Sequence, residues 1–296
     1  LTSDDVDSGT DPVDDAQVTQ YQIISLPDPD KGVLQDSSGQ AIVVGQVISV
    51  AQATNMRFVP TANASGGASF DFKAVDQAGA RSEQRTVTIN SAAVNDAPVI
   101  SGGGNTVSYT EGDGAGAAGT PVILNAAGDL QISDQELIIE GIDDFDGATL
   151  TVQRASANAD DVFGFASPVT TSGANIEVSG NTVGTFALSS GKLTVTFNSA
   201  ANQSAVDSVM QAVTYSGTAD DVEGDITINM QFKDGNTGAQ GSGGNRASNI
   251  ATFTVNVINT NDAPTLDLAM TLAAVEDTTI SNAAGTTISA VVGNSF

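Results

Sequence analysis

Cysteine, histidine and tryptophan are absent from this 296-residue chain, and basic side chains are scarce, 9 against 35 acidic ones. Without Cys or His there is no thiolate or imidazole nucleophile, no proton shuttle titrating near neutrality, and no Cys/His metal centre. Aromatics make up 5% of residues, with three Tyr, so the many carboxylates have no stacking cleft in which a paired-acid glycosidase could hold a sugar. The chain therefore reads as non-enzymatic, and a carbohydrate-binding module ranks low for the same reason. No run approaches the 18 apolar residues of a membrane-spanning helix.

The missing cations matter as much as the missing nucleophiles. A net charge of −26 leaves no clustered Lys or Arg for phosphate, so nucleic acid and anionic membranes are poor partners, and no nucleic-acid partner is expected. Cations are favoured, since so acidic a chain repels itself unless counter-ions are bound or the medium is salty. The expected setting is calcium-rich extracellular fluid or saline water; the absence of cysteine leaves the redox compartment open. The length is too great for one ordinary β-sandwich and right for two modules plus fragments. Because it begins at Leu1 without Met and stops at Phe296 inside an unfinished pattern, the chain reads as a segment of a longer or processed protein.

What is present is repetition. Asn-Asp-Ala-Pro occurs at Asn95–Pro98 and again at Asn261–Pro264, each time just after an alternating β-branched run. Lys192–Phe197 places Leu193, Val195 and Phe197 on one face. Ile226, Ile228, Met230 and Phe232, and then Phe253, Val255 and Val257, repeat the pattern, the signature of half-buried strands in antiparallel sheets. Gly-rich runs, 112–119 and 235–244, read as loops. Val206, Val209, Met210 and Val213 fall at helical spacing behind Asn202 and Ser204, either of which suits an N-cap, so one short helix is expected there to close a core. The chain divides into a first module over 1–94, complete or short of its opening strand, a linker over 95–98, a second module over 99–258, a linker over 259–264, and the start of a third over 265–296. Gly-rich runs and the segment Ala155 to Thr182 read as loop or hairpin insertions in the long second module.

These residues carry a family resemblance. Gly45–Val50, Phe58–Phe70, Val75-Asp76, Thr86–Ile89 and Val94–Pro98 resemble bacterial cadherin-like repeats, which occur in tandem in giant secreted adhesins, including calcium-dependent ones of the RTX type. Thr110-Glu-Gly112, Ile132-Ser-Asp134, Gly147–Val152 and Thr254–Val257 resemble a related version. Val275–Ile280 is similar to the first strand of another copy. The resemblance touches nearly the whole chain and implies tandem immunoglobulin/cadherin-like antiparallel β-sandwich modules.

Calcium is the cofactor that the acids favour, since it takes about six to eight oxygen ligands in tolerant geometry and a module junction supplies them from three segments. The first linker offers Asn95 and Asp96, the second Asn261 and Asp262. The resemblance implies that Glu111 serves the second junction and that Asp134 with Glu136 serves the first; Glu136 stands where the family usually has a second Asp. Asp143, Asp144 and Asp146 either complete the first junction or form a solvated turn closed by Gly147. Asp234-Gly-Asn236 is a hairpin turn first and a peripheral ligand second. The linker motif itself could be a turn in which Asn and Asp cap their own backbone. The spread of Asp4, Asp5, Asp7, Asp11, Asp14 and Asp15 reads as a flexible, solvated arm.

The expected function is thus a non-catalytic extender region of a large bacterial cell-surface adhesin or fibre, stiffened by calcium at its junctions and located outside the cell. Its partners would be neighbouring repeats of the same chain and, through other domains, cell-surface glycans. The alternative is a self-assembling subunit of a filament or surface layer, with other copies as partners through strand addition.

Overall fold

Alternating apolar strands need a second layer over their inner face, and this chain meets that need twice. The computed structural model describes residues 17–113, 116–139, 141–219, 224–236 and 240–261. The N-terminal acids, Asp262 and the third module expected over 265–296 lie outside those residues. What is described is an all-β chain of mainly antiparallel sheets, with two separate hydrophobic clusters along the sequence.

The first cluster is closed by β1 (Val18–Ile23), β2 (Gly32–Gln35), β3 (Val47–Ser49), a helical turn α1 (Val50–Thr54), β4 (Arg57–Pro60), β5 (Gly66–Asp76) and β6 (Arg85–Ser91). A sheet of order β3-β1-β5-β6 faces the pair β2-β4 across Tyr21, Ile23, Leu34, Ile48, Phe70 and Phe72. Tyr21 meets Phe72 edge to face, the ring centroids 5.7 Å apart.

The second cluster is larger. It comprises β7 (Val99–Ser101), β8 (Thr106–Thr110), β9 (Val122–Ile123), β10 (Gln131–Ser133), β11 (Thr149–Arg154), β12 (Asp161–Phe165), β13 (Val169–Ser172), β14 (Asn175–Val178), β15 (Asn181–Ser189), β16 (Lys192–Phe197), α2 (Gln203–Ala212), β17 (Val213–Gly217), β18 (Ile226–Lys233) and β19 (Ala247–Ile258). Eight strands form one sheet, β13-β14-β15-β16-β11-β18-β19-β8, and the sheet β12-β17-β9 and the pair β10-β7 pack against it. Leu193, Val195 and Phe197 on β16, and Ile226, Ile228, Met230 and Phe232 on β18, point into the shared core as their two-residue period requires.

Three sequence expectations need correction. The second unit's helix is not alone: α1 sits in the first unit, held by a reciprocal capping box between Ser49 and Gln52, and a single π-helical turn spans Gln135–Ile139. Five residues of α1 and five of the π turn are too few to show a helical period. The segment Ala155 to Thr182 is not insertion throughout: β13 and β14 form a hairpin at the edge of the large sheet, but β12 belongs to the smaller one. Finally, β8 pairs with β19 in parallel, whereas alternation sets which face is buried and not which way a neighbour runs.

Helix α2 starts where the spacing placed it. Asn202 is its N-cap, with Oδ1 accepting from the Ala205 N–H at 2.9 Å, and Val206, Val209 and Met210 are fully buried. Val213 turns extended and begins β17 instead of ending the helix. The Gln203 and Gln211 amides donate to the Ile132 and Leu130 carbonyls, and Asp207 accepts from the Ile132 N–H, so the helix is lashed along β10. Asn202→Ala should cost about 1 kcal/mol, read as a lower urea midpoint with an unchanged slope.

A chain without cysteine ties its two layers together by other means. Arg154 closes β11 in the large sheet; Asp161 opens β12 in the smaller one. The Arg154 Nε and Nη2 both donate to Asp161 Oδ1, at 2.9 and 2.6 Å, and the Tyr215 hydroxyl donates to the same oxygen at 2.9 Å. Burial, and then the Asp161 charge, push the Tyr215 phenol well above its usual range.

Candidate cation site at the linker

The linker is held by the second unit rather than strung freely between the two. The Ser242 N–H donates to the Ala93 carbonyl, and the Asn95 N–H donates back to the Ser242 carbonyl, so the chain is clamped on both sides of Val94. Asn95 is fully buried, its Nδ2 donating to Asp234 Oδ2 at 2.8 Å and to the Gly244 carbonyl at 2.9 Å. Asp234 in turn accepts from the Arg246 N–H at 2.8 Å. Gly241 lies against Ala93 so closely that a Cβ there would sit 2.5 Å from backbone atoms, and its φ of 95° favours glycine as well.

Across from this clamp, Asp134 and Glu136 flank the start of the π-helical turn, a feature that recurs at functional sites. Asp134 Oδ1 accepts from the Glu136 and Leu137 N–H groups, at 3.1 and 3.0 Å. Glu136 Oε2 accepts from the Asp96 N–H at 3.2 Å, which joins the turn to the linker. Burial pushes both acids above their ordinary values; the Asp234 charge adds to the effect at Asp134, and the Asp134 and Asp96 charges add to it at Glu136.

The charged side chains of the group are therefore all carboxylates. Among the described residues the one ion pair is Arg154–Asp161, so no Lys or Arg within 4.0 Å neutralises Asp96, Asp134, Glu136 or Asp234. Two buried oxygens at the site, Asn95 Oδ1 and Asp134 Oδ2, receive no hydrogen bond, and nor does Gln240 Oε1 in the clamping loop. Orphaned buried acceptors among uncompensated carboxylates fit a hard cation that takes oxygen ligands. Among the described residues no three Asp or Glu side chains come together in a group that could hold a metal ion. A cleft of about 200 Å³ lies between Thr61, Asn63 and Ser65 of the first unit and Asp96 with Glu136.

The second junction shows the same chemistry in part. Glu111 is buried just after β8; its Oε1 accepts from the Thr260 N–H at 2.8 Å, next to Asn261, while Oε2 is buried without a donor. Its expected companion Asp262 lies outside the described residues. The third acidic run is used differently. Asp143, with φ of 44°, accepts from the Gln203 N–H at the start of α2, and Asp144 accepts from the Asp146 N–H in a local turn. All three are exposed, although the backbone at Asp146 packs against Gly235, beside the clamp. The structure thus gathers Asn95, Asp96, Asp134 and Glu136, sets Glu111 beside Asn261, and gives Asp143 and Asp144 capping and turn duties.

No protein-family model matches the chain, and no curated protein matches it. Solved structures similar to it include the C-terminal domain of the Streptococcus pyogenes antigen I/II-family protein AspA, at 9% identity over 81% of this chain and 84% of that one, TM-score 0.25. Human protocadherin-24 EC1-2 is 11% identical over 83% and 100% of the two chains, TM-score 0.29. BcpA, the major pilin subunit of Bacillus cereus, is 11% identical over 81% and 69%, TM-score 0.32. Likenesses this distant leave the function to the site itself.

Asp234 is the residue that sequence reasoning set aside. Its Asp-Gly-Asn context is a turn signal, and turn and ligand draw on the same side-chain chemistry. Its partner Asn95 stands 139 positions earlier in the chain, a separation that no local pattern reports.

Proposed function

We propose that this chain is a non-catalytic structural region of a bacterial cell-surface adhesin or fibre, in which calcium bound at the module junctions fixes the angle between successive sandwiches. The observation that carries this reading is the pair of buried, undonated oxygens, Asn95 Oδ1 and Asp134 Oδ2, set among carboxylates that no basic side chain approaches within 4.0 Å. Asn95, Asp134 and Glu136 would hold the ion, with Asp96 and Asp234 adding charge; Glu111 with Asn261 and Asp262 would serve the next junction. Calcium would supply the positive charge that lets these acids stay ionised while buried. The modules are taken as 1–94 and 99–258, with a third beginning at 265.

The clamp explains why such an ion would stiffen the rod. Ser242 already binds Ala93 and Asn95 to the second module, so the remaining freedom lies where β6 leaves the first module, at Ser91 and Ala92. An ion held by Asn95, Asp134 and Glu136 would lie beside Asp96, at the cleft that faces this hinge. An ion bound only by the ordered junction stabilises it by about 2.7 kcal/mol at a hundredfold excess over Kd.

Small-angle scattering and limited proteolysis test the proposal together. With calcium the particle should be longer, and cleavage near residues 91–98 and 259–265 slower; chelation should shorten it and open both segments. If dimensions and cleavage rates are the same in calcium and in chelator, the reading is wrong.

A further inference from the structure

The pair β7-β10 carries both halves of the cation site. Val99 pairs with Ser133, Ile100 with Ile132 and Ser101 with Gln131. Asp96 shortly precedes Val99, and Asp134 follows Ser133 directly, so the linker and the π-helical turn leave this ribbon at the same end. Its register therefore decides which acids meet. A slip of one residue would turn Asp134 to the opposite face, out of its buried position. Strands of three residues hold a register poorly by ladder bonds alone, since an isolated two-stranded ribbon is marginal in water.

Side chains from outside the ribbon supply what the ladder lacks. On one edge Asn249, near the start of β19, pairs with Ile100 as a strand residue would: its Oδ1 accepts from the Ile100 N–H at 2.8 Å, and its Nδ2 donates to the Ile100 carbonyl at 2.9 Å. On the other edge α2 does the same for Ile132. Asp207 Oδ1 accepts from the Ile132 N–H at 2.8 Å, and Gln203 Nε2 donates to the Ile132 carbonyl at 3.0 Å. Ile100 and Ile132 thus face each other with all their backbone groups turned outward, the kind of pair that an antiparallel ladder leaves without mutual bonds. Each of those four groups is taken by a side chain. Both isoleucines are buried, so a lost partner there is costly.

We propose that Asn249 and Asp207 are positioning residues for calcium at the first junction, fixing the ribbon on both edges and so setting Asp134 and Glu136 in register with the linker. This inference rests on the calcium reading of the site. Neither side chain stands among the ligands, and both act through backbone: Asn249 binds the strand that the linker enters, and Asp207 binds the strand that Asp134 and Glu136 leave. Asn249 also joins the ribbon to the sheet that holds the other half of the site. Shortly before it on the chain, the Arg246 N–H donates to Asp234, the partner of Asn95. Removing a group that orients metal ligands without touching the ion weakens binding by about 10- to 100-fold.

Calcium titration calorimetry of the full chain tests this, with Asp134→Asn marking the binding step that belongs to the first junction. Asn249→Ala and Asp207→Leu should each weaken that step by about 10- to 100-fold. Asp207→Asn keeps an oxygen for the Ile132 N–H and should bind as wild type does. Asn249 is exposed, so its truncation opens no cavity, and a cooperative thermal transition in chelator checks that each variant is folded. Should one truncation unfold the chain, the variant on the opposite edge decides. A purely structural role would lower the midpoint in chelator and leave calcium affinity unchanged. The positioning role is overturned if folded Asn249→Ala and Asp207→Leu bind calcium as wild type does. It is overturned equally if Asp207→Asn loses as much as Asp207→Leu, which would make the effect one of charge. Wild type that takes up no calcium overturns the site reading itself, and this inference with it.

Discussion

Asp134→Asn should make the chain more stable in chelator and less stable than wild type in calcium. The asymmetry comes from the two carboxylate oxygens. Oδ1 accepts from the Glu136 and Leu137 N–H groups, and asparagine keeps that acceptor. Oδ2 is buried with no donor, inside a group of like charges, and asparagine replaces it with an N–H2 able to donate to the acids around it. Without calcium the substitution therefore removes a buried, unpaired charge, a change that stabilises. With calcium it removes a ligand, and the increment of about 2.7 kcal/mol at a hundredfold excess of ion should shrink or vanish.

The pH dependence follows with its sign. Burial raises the Asp134 and Glu136 acids above 3.8 and 4.5, so the calcium-free folded state holds protons that the unfolded chain has released. In that window, which opens at those values and extends upward, the stability of the calcium-free wild type falls as pH rises. Calcium should displace those protons, and its effect should weaken on acidification. Thermal unfolding in calcium and in chelator, at two pH values, reads all of this. An equal calcium increment in wild type and variant would remove Asp134 from the site.

The sequence conveyed which residues face inward far better than which elements meet. Lys192–Phe197 and Ile226–Phe232 are strands where alternation placed them, because burying one face of a sheet enforces a two-residue period. The same alternation is silent on direction, which is why the parallel pairing of β8 with β19 was not legible. It is silent on layer too, so β12 read as insertion although Phe163 packs edge to face on Tyr215. At the junction, Asn95, Asp96, Asp134 and Glu136 were recognisable as acceptors placed by the repeat. The clamp was not recognisable, since Ser242, Gly244 and Arg246 act through backbone groups that carry no residue signature.

Arg154→Met should cost about 3–5 kcal/mol, far more than any surface charge, because it strands a buried carboxylate. The Asp161 side chain is fully buried, while that of Arg154 is 21% exposed, so the pair is anchored in the core at its acidic end. Three donor groups converge on Asp161 Oδ1, two from Arg154 and one from Tyr215; Oδ2 has no donor at all. Removing the guanidinium leaves one hydroxyl to stabilise that charge between two sheets. Arg154→Met/Asp161→Leu removes the charge with its partner and should recover most of the loss, as buried pairs replaced whole by apolar groups are near neutral. Urea unfolding of the two variants separates pair from packing: a single substitution costing under about 1 kcal/mol would show that the contact is no more than a surface pair. If the double variant instead stays as damaged as the single one, the ion pair sets the register between layers, and this cysteine-free sandwich holds its sheets together through a buried charge rather than a covalent cross-link.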